Sequence, residues 1–191
     1  SEEKAKQAYE EWRVLEENVW FYPARDLLFY HADIKGAFLT GKRMEVLRAI
    51  VEKKGREAIT VVTTMDAFLD GLPSKEELCG NRIKIHAEEA LDFQKLQENL
   101  SILGYERENQ VESPGQFAVR GGILDVFPLT EENPVRIELW GDEVDSIRSF
   151  DVESQRSTEN LQEIEIYPAT ENWKQMETES FLAYFPVKET I

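Results

Sequence analysis

From Gly104 to Pro168 the sequence breaks into short strands punctuated by turns: "GQFAVRGG", "ILDVFP", "NPVRIELWGD", "EVDSIRSFD" and "LQEIEIYP". Alternation sends successive side chains to opposite faces of a strand. Strands of this length, recurring at spacings of about ten residues, describe an antiparallel sheet. Within "VRIELWGDE" (135–143), Val135, Ile137 and Leu139 share one face, whereas Arg136, Glu138 and Trp140 share the other. The first set reads as core. The second places a tryptophan on the polar face, immediately before a Gly141-Asp142 turn.

The first eighty residues follow a different rule. Ala5, Ala8, Trp12, Leu15 and Val19 recur at helical spacing and mark an amphipathic helix. "VWFYP" (19–23) and "AITVVTT" (58–64) are apolar on both faces, as buried parallel strands are. Between them the pattern predicts a helix over 40–54, with Met44, Leu47, Ile50 and Val51 inward and Gly55 as its stop. Thr64 stands where an N-cap would open the short helix "MDAFLDG". Strand, helix, strand, helix with two-sided strands is the signature of a parallel sheet covered by helices. "NRIKIH" (81–86) then alternates, and a helix is expected over 88–103 with Leu91, Leu96, Leu100 and Leu103 inward.

The expected fold class is therefore α/β: a partial parallel-sheet domain over 1–80 and 169–191, with an inserted small α+β domain over 81–168 that contains the antiparallel sheet. The last twenty or so residues, with Trp173, Phe181 and Phe185, either return to the first domain or begin a further one. A start at Ser1 inside a helical pattern and an uncapped end at Ile191 read as an excised fragment.

Charge narrows the function. The chain carries 38 acidic and 22 basic residues, a net charge of −16. Binding to nucleic acid needs a basic surface that releases counterions from phosphates, so a protein partner is the better expectation. No apolar run has the roughly 20 residues of a membrane helix, and no signal peptide opens the chain. A single cysteine, Cys79, excludes a disulfide framework and points to a reducing, cytoplasmic setting.

Enzymatic chemistry finds little purchase. "TGKRM" (40–44) has Gly41-Lys42 but neither the following Ser or Thr nor the upstream glycine of a phosphate-binding loop. His31 and His86 lack neighbours at metal-ligand spacing, and nothing beside Cys79 would lower its pKa. Asp142, Glu143 and Asp145 could in principle gather Mg²⁺ for a nuclease, but Gly-Asp ahead of a strand is first a hairpin turn. No catalytic residue, cofactor or metal is expected. Arg120, at a strand end before Gly121-Gly122, and Arg136, on the outer face with Trp140, stand out because arginine and tryptophan are enriched at binding hot spots. The plainer alternatives stay open: Arg136 and Glu138 as a solvated pair, and Trp140 as cover for the adjoining domain.

The segment "QFAVRGGILDVFPLTEENPVRIELWGDEVDSIRSFDVESQRS" (116–157) resembles the UvrB-homology region of the bacterial transcription-repair coupling factor (Mfd) family, and the likeness extends upstream through "NVWFYPARDLLFYHADIKG" and "VVTTMDAFLDGLP". The repair protein UvrB is similar over the Arg-Gly, Phe-Pro and Gly-Asp-Glu core, but it opens with an intact phosphate loop and lacks the "QRS" ending at Ser157. A UvrB fragment is the alternative. The resemblance implies a degenerate, helicase-like (RecA-like) first domain without an ATP site. It also implies an inserted domain that docks UvrA, with RNA polymerase and DNA reached only through other parts of the full-length protein, an ATP-dependent translocase. The family's UvrA-contacting arginines fall on Arg120 and Arg136 and its aromatic on Trp140, where Phe is common; Glu138 is a weaker fourth.

Overall fold

Two compact units divide the chain, one of Ser1–Gly80 with Glu171–Ile191 and one of Asn81–Thr170. The structure, a computed structural model, describes residues 1–25, 33–52, 58–170 and 178–185. His31, Gly55 and Trp173 lie outside the described residues.

In the first unit, helix α1 (Glu2–Trp12) precedes strand β1 (Val19–Tyr22), and helix α2 (Asp33–Glu52) leads to strand β2 (Thr60–Thr63). β1 and β2 pair in parallel, with Val19 opposite Thr60 and Tyr22 opposite Thr63, the arrangement that the two-sided apolar pattern predicts. Helix α2 begins earlier than the expected residue 40, and Met44, Leu47 and Ile50 face inward as anticipated. Gly41 and Lys42 thus lie inside a helix, where their N–H groups are committed to helical hydrogen bonds and cannot surround a phosphate.

Arg43, beside them, is 1% exposed. Its guanidinium donates to the Pro23 carbonyl at 2.6 Å and to Asp70 at 3.0 Å, and it lies 4.3 Å from the Tyr22 ring centroid. Buried charge survives only with such partners, so Arg43 fastens α2 to the end of β1. The expected stripe of α1 is corrected: no residue of this helix is buried, Trp12 and Leu15 are largely exposed, and the helix stops before Leu15. It is held instead by Tyr9 against Phe21, with ring centroids 5.9 Å apart.

Thr64 caps the next helix, α3 (Met65–Leu69), its hydroxyl accepting from the Ala67 N–H. Strand β3 (Leu72–Pro73) and helix α4 (Lys75–Gly80) complete the run to the second unit. Residues Phe181–Tyr184 form a 3₁₀ turn whose Phe181 and Tyr184 are buried. Phe181 stacks on Tyr22 at 4.6 Å, and the Tyr184 hydroxyl donates to the Pro73 carbonyl. The segment therefore packs into the first unit.

The second unit is mixed: strand β4 (Ile83–His86), helix α5 (Phe93–Ile102), then strands β5 (Glu106–Arg107), β6 (Gln116–Arg120), β7 (Ile123–Val126), β8 (Val135–Trp140), β9 (Glu143–Phe150), β10 (Ser157–Leu161) and β11 (Glu163–Ile166). Six of these form one sheet in the order β10-β9-β8-β7-β6-β5, antiparallel except for the short β5–β6 pairing. "LQEIEIYP", expected as one strand, divides at Gln162: Leu161 ends β10, and Glu163–Ile166 pairs with β4 in a separate ribbon. The ribbon carries alternating charge, with Lys84 placed between Glu163 and Glu165. Both carboxylates raise the Lys84 pKa above its ordinary value, chiefly by hydrogen bonding.

Helix α5 starts later than expected. The Glu88 and Leu91 N–H groups donate to carbonyls of Val144 and Asp142, and Glu88 takes a φ of +65°. Residues 88–91 are thereby bound along the β8–β9 hairpin, and Asp92 opens the helix by accepting from the Lys95 N–H. Leu96, Leu100 and Leu103 are buried as the helical spacing predicts. One sheet face buries Phe117, Leu124, Val135, Ile137 and Ile147.

Candidate functional site

The opposite face of the sheet is charged, and register explains how it is assembled. Across β6, β7, β8 and β9 the pairs Ala118–Asp125, Asp125–Arg136 and Arg136–Arg148 lie directly opposite one another. Opposed residues of an antiparallel sheet share a face, so Asp125 and three arginines meet here once Arg120, two residues beyond Ala118, is added. Arginines directly opposite repel. The face resolves this by sending the opposed Arg136 and Arg148 to different carboxylates.

Arg136 takes Asp125. Its Nε donates to one carboxylate oxygen at 2.7 Å and its terminal NH₂ to the other at 2.9 Å, a bidentate fork. Its guanidinium carbon lies 4.5 Å from the centroid of the Phe150 ring, and Phe150 is fully buried. Hydrogen bonding to Asp125 pushes the Arg136 pKa further above its already high ordinary value, more than burial lowers it. Arg120 donates to the same Asp125 oxygen that receives the Arg136 NH₂. Arg148 pairs with Glu138, and Ser146 donates its hydroxyl to Glu138 at 3.1 Å. Arg136 and Glu138 thus take other hydrogen-bond partners and interact only through charge, which corrects the solvated-pair alternative.

Burial grades this face from inside to outside. Asp125 is 1% exposed, the Arg136 side chain 16%, Arg120 47% and Trp140 84%. Trp140 ends β8 opposite Glu143, and Gly141, with φ of +65°, turns the chain into β9. The expected hairpin turn at Gly141-Asp142 is present, and the register slips between Glu138 and Leu139 so that Asp145 has no opposite residue. Among the described residues no cluster of three or more His, Cys, Asp or Glu is arranged to hold a metal ion.

The Arg120 end depends on two glycines. Gly121 adopts φ of +62°, and a Cβ on Gly122 would stand 3.1 Å from the Leu139 carbonyl oxygen. That close approach accompanies a hydrogen bond from the Leu139 N–H to the Gly122 carbonyl, tying the β6–β7 turn beside the Trp140 end of β8.

Arg120, Arg136 and Glu138, singled out from sequence, thus come onto one face, with Trp140 exposed at its hairpin end. Asp125 and Arg148 escaped notice. A signal for Asp125 was present: in "ILDVFP" it is a lone carboxylate between Leu124 and Val126, both fully buried. Such a group must be paired. Arg148 carries no comparable mark, since its role depends on cross-strand register.

Comparison with known proteins converges on this region. Residues 83–172 match the model of the UvrB interaction domain. The transcription-repair-coupling factor of Bacillus subtilis (strain 168) is 39% identical over 154 residues, covering 81% of this chain and 13% of the relative. That of Staphylococcus aureus (strain bovine RF122 / ET3-1) is 34% identical over 155 residues, with the same coverage of 81% and 13%. The chain spans about an eighth of the length of these curated relatives. No helix among the described residues is long and apolar enough to cross a membrane. By these matches the chain belongs to the transcription-repair-coupling factor family, with its UvrB interaction domain over residues 83–172.

Proposed function

We propose that this chain is a non-catalytic recruiting module that binds UvrA during transcription-coupled nucleotide-excision repair. The observation that carries the reading is a coincidence of place. The matched domain, 83–172, is the stretch that displays an 84%-exposed tryptophan beside an arginine-bearing sheet face. Arg120 and Trp140 contact UvrA, with Arg136 and Glu138 in support. An exposed aromatic anchor next to a fixed guanidinium supplies apolar area and charge specificity together. The net charge of −16 favours a protein over nucleic acid as the partner.

The first unit is read as a degenerate, RecA-like piece of a helicase domain. Its support is the parallel β1–β2 pair and the burial of Arg43, next to Gly41-Lys42, as an internal cation. RNA polymerase, DNA and ATP-driven translocation belong to other parts of the full-length, cytoplasmic protein. A fragment of UvrB itself is the second reading, favoured by the name of the matched domain.

A pull-down of purified UvrA by the full 191-residue chain tests the proposal. Retention of UvrA without ATP hydrolysis or DNA cleavage by the chain is expected. Failure to retain UvrA, or either activity in the purified chain, overturns the reading.

A further inference from the structure

The two arginines of the charged face are unequal in a way their shared pattern conceals. Arg136 commits both Nε and a terminal NH₂ to Asp125, lies over Phe150 and leaves its side chain 16% exposed. Arg120 gives one N–H to that carboxylate and keeps its side chain 47% exposed. Among the described residues this is its one ion pair. Asp125 is the shared element, 1% exposed and opposite Arg136 in register. Two guanidinium groups on one carboxylate leave a single surplus positive charge, and Arg120 is its outward end.

We propose that Asp125 is a positioning residue for partner recognition. It locks Arg136 into the sheet and tethers Arg120 as the more exposed of its two cations, so that Arg120 touches the partner and Arg136 acts only through Asp125. The proposal rests on the reading of this face as the UvrA-binding surface.

The physical basis is preorganisation. A free arginine side chain loses much rotamer freedom when a partner immobilises it, and that loss subtracts from affinity. Holding Arg120 by one N–H removes part of the cost before the partner arrives and leaves its other N–H groups to be shared. Without the Asp125 charge, two guanidinium groups from the strands on either side of β7 lose the carboxylate they share. Arg120 then swings away, and the outward geometry is lost. A guanidinium whose fork is filled and whose face is covered, as at Arg136, has little left to offer a second protein.

The test is calorimetric titration of the full chain with UvrA, for the unaltered protein, Asp125→Asn, Arg120→Ala and the double variant. Asp125→Asn is expected to weaken binding about tenfold or more through lost preorganisation. In the Arg120→Ala background the same change is expected to cost less than about twofold, because neighbours that act as one unit are not additive. Additive losses, or an unchanged affinity for Asp125→Asn, overturn the positioning role while the UvrA reading stands. Absence of binding by the unaltered chain overturns both. Should Asp125→Asn not fold, arginine Nε–H resonances of the unaltered chain decide. Slow exchange at Arg136 that UvrA leaves unchanged, with a shift at Arg120, is expected; a shift confined to Arg136 overturns the proposal.

Discussion

Trp140 costs the free protein exposed apolar surface and returns nothing to its core, because at 84% exposed it has little to pack against. Its truncation therefore separates binding from folding. Trp140→Ala is expected to weaken UvrA binding by about 2 kcal/mol, roughly thirtyfold, as loss of an aromatic anchor does. The melting temperature should stay within about 1 °C, as for surface substitutions generally. Calorimetric titration and a thermal scan of the same sample check both halves. Phe117 makes the opposite case: it is 1% exposed on the core face, and Phe117→Ala should cost about 3–5 kcal/mol in urea denaturation. Of these placements the sequence carried that of Trp140 plainly, since strand alternation alone puts it on the polar face. Asp125 was readable only as an anomaly, because a carboxylate's partners lie on other strands and no local pattern names them.

At the scale of elements, capping and turn chemistry account for where segments begin and end. Asp92 accepts from the Lys95 N–H at the start of α5, so Asp92→Ala should destabilise the second unit by about 1 kcal/mol, measurable as a lower denaturation midpoint. After β9 the chain turns at Asp151, whose carboxylate accepts from the Ser154 hydroxyl at 2.6 Å and from the Ser154 N–H at 2.8 Å. The hydroxyl, and then the N–H, hold the Asp151 pKa below its ordinary value. A folded-state pKa below the unfolded one stabilises above the unfolded value of about 3.9, and that contribution fades as pH falls through the folded pKa. Ser154→Ala should move the Asp151 carboxyl titration, followed by NMR, back up toward the ordinary range. An unmoved titration would contradict the assignment.

Period made the strands and the parallel pair legible: "VWFYP" and "AITVVTT" are apolar on both faces and pair in parallel, although β2 is half-buried along its length rather than buried. It misjudged ends decided by distant partners. Leu91 fits a helical stripe, yet its N–H is taken by the Asp142 carbonyl. Leu161 and Ile164 stand in one expected strand, yet they serve different sheets.

For the whole molecule, the charge of −16 and the arginine-bearing face are two parts of one design. A strongly acidic chain is repelled by duplex DNA over most of its area, while a local cation on a fixed scaffold can still single out a protein partner. Gel-shift titration with duplex DNA at 0.15 M salt should show no retention by the chain under conditions where UvrA is bound. The division into two units also locates the chemistry: every residue of the candidate surface belongs to Asn81–Thr170, and the first unit contributes none.

Calorimetric titration of UvrA into the full chain and into Arg120→Ala decides whether this face recruits UvrA. Saturable binding by the unaltered chain is expected, weakened about thirtyfold or more in the variant as at a binding hot spot, with the circular-dichroism spectrum and melting temperature preserved. No binding by the unaltered chain, or equal affinity for the two proteins, would contradict it.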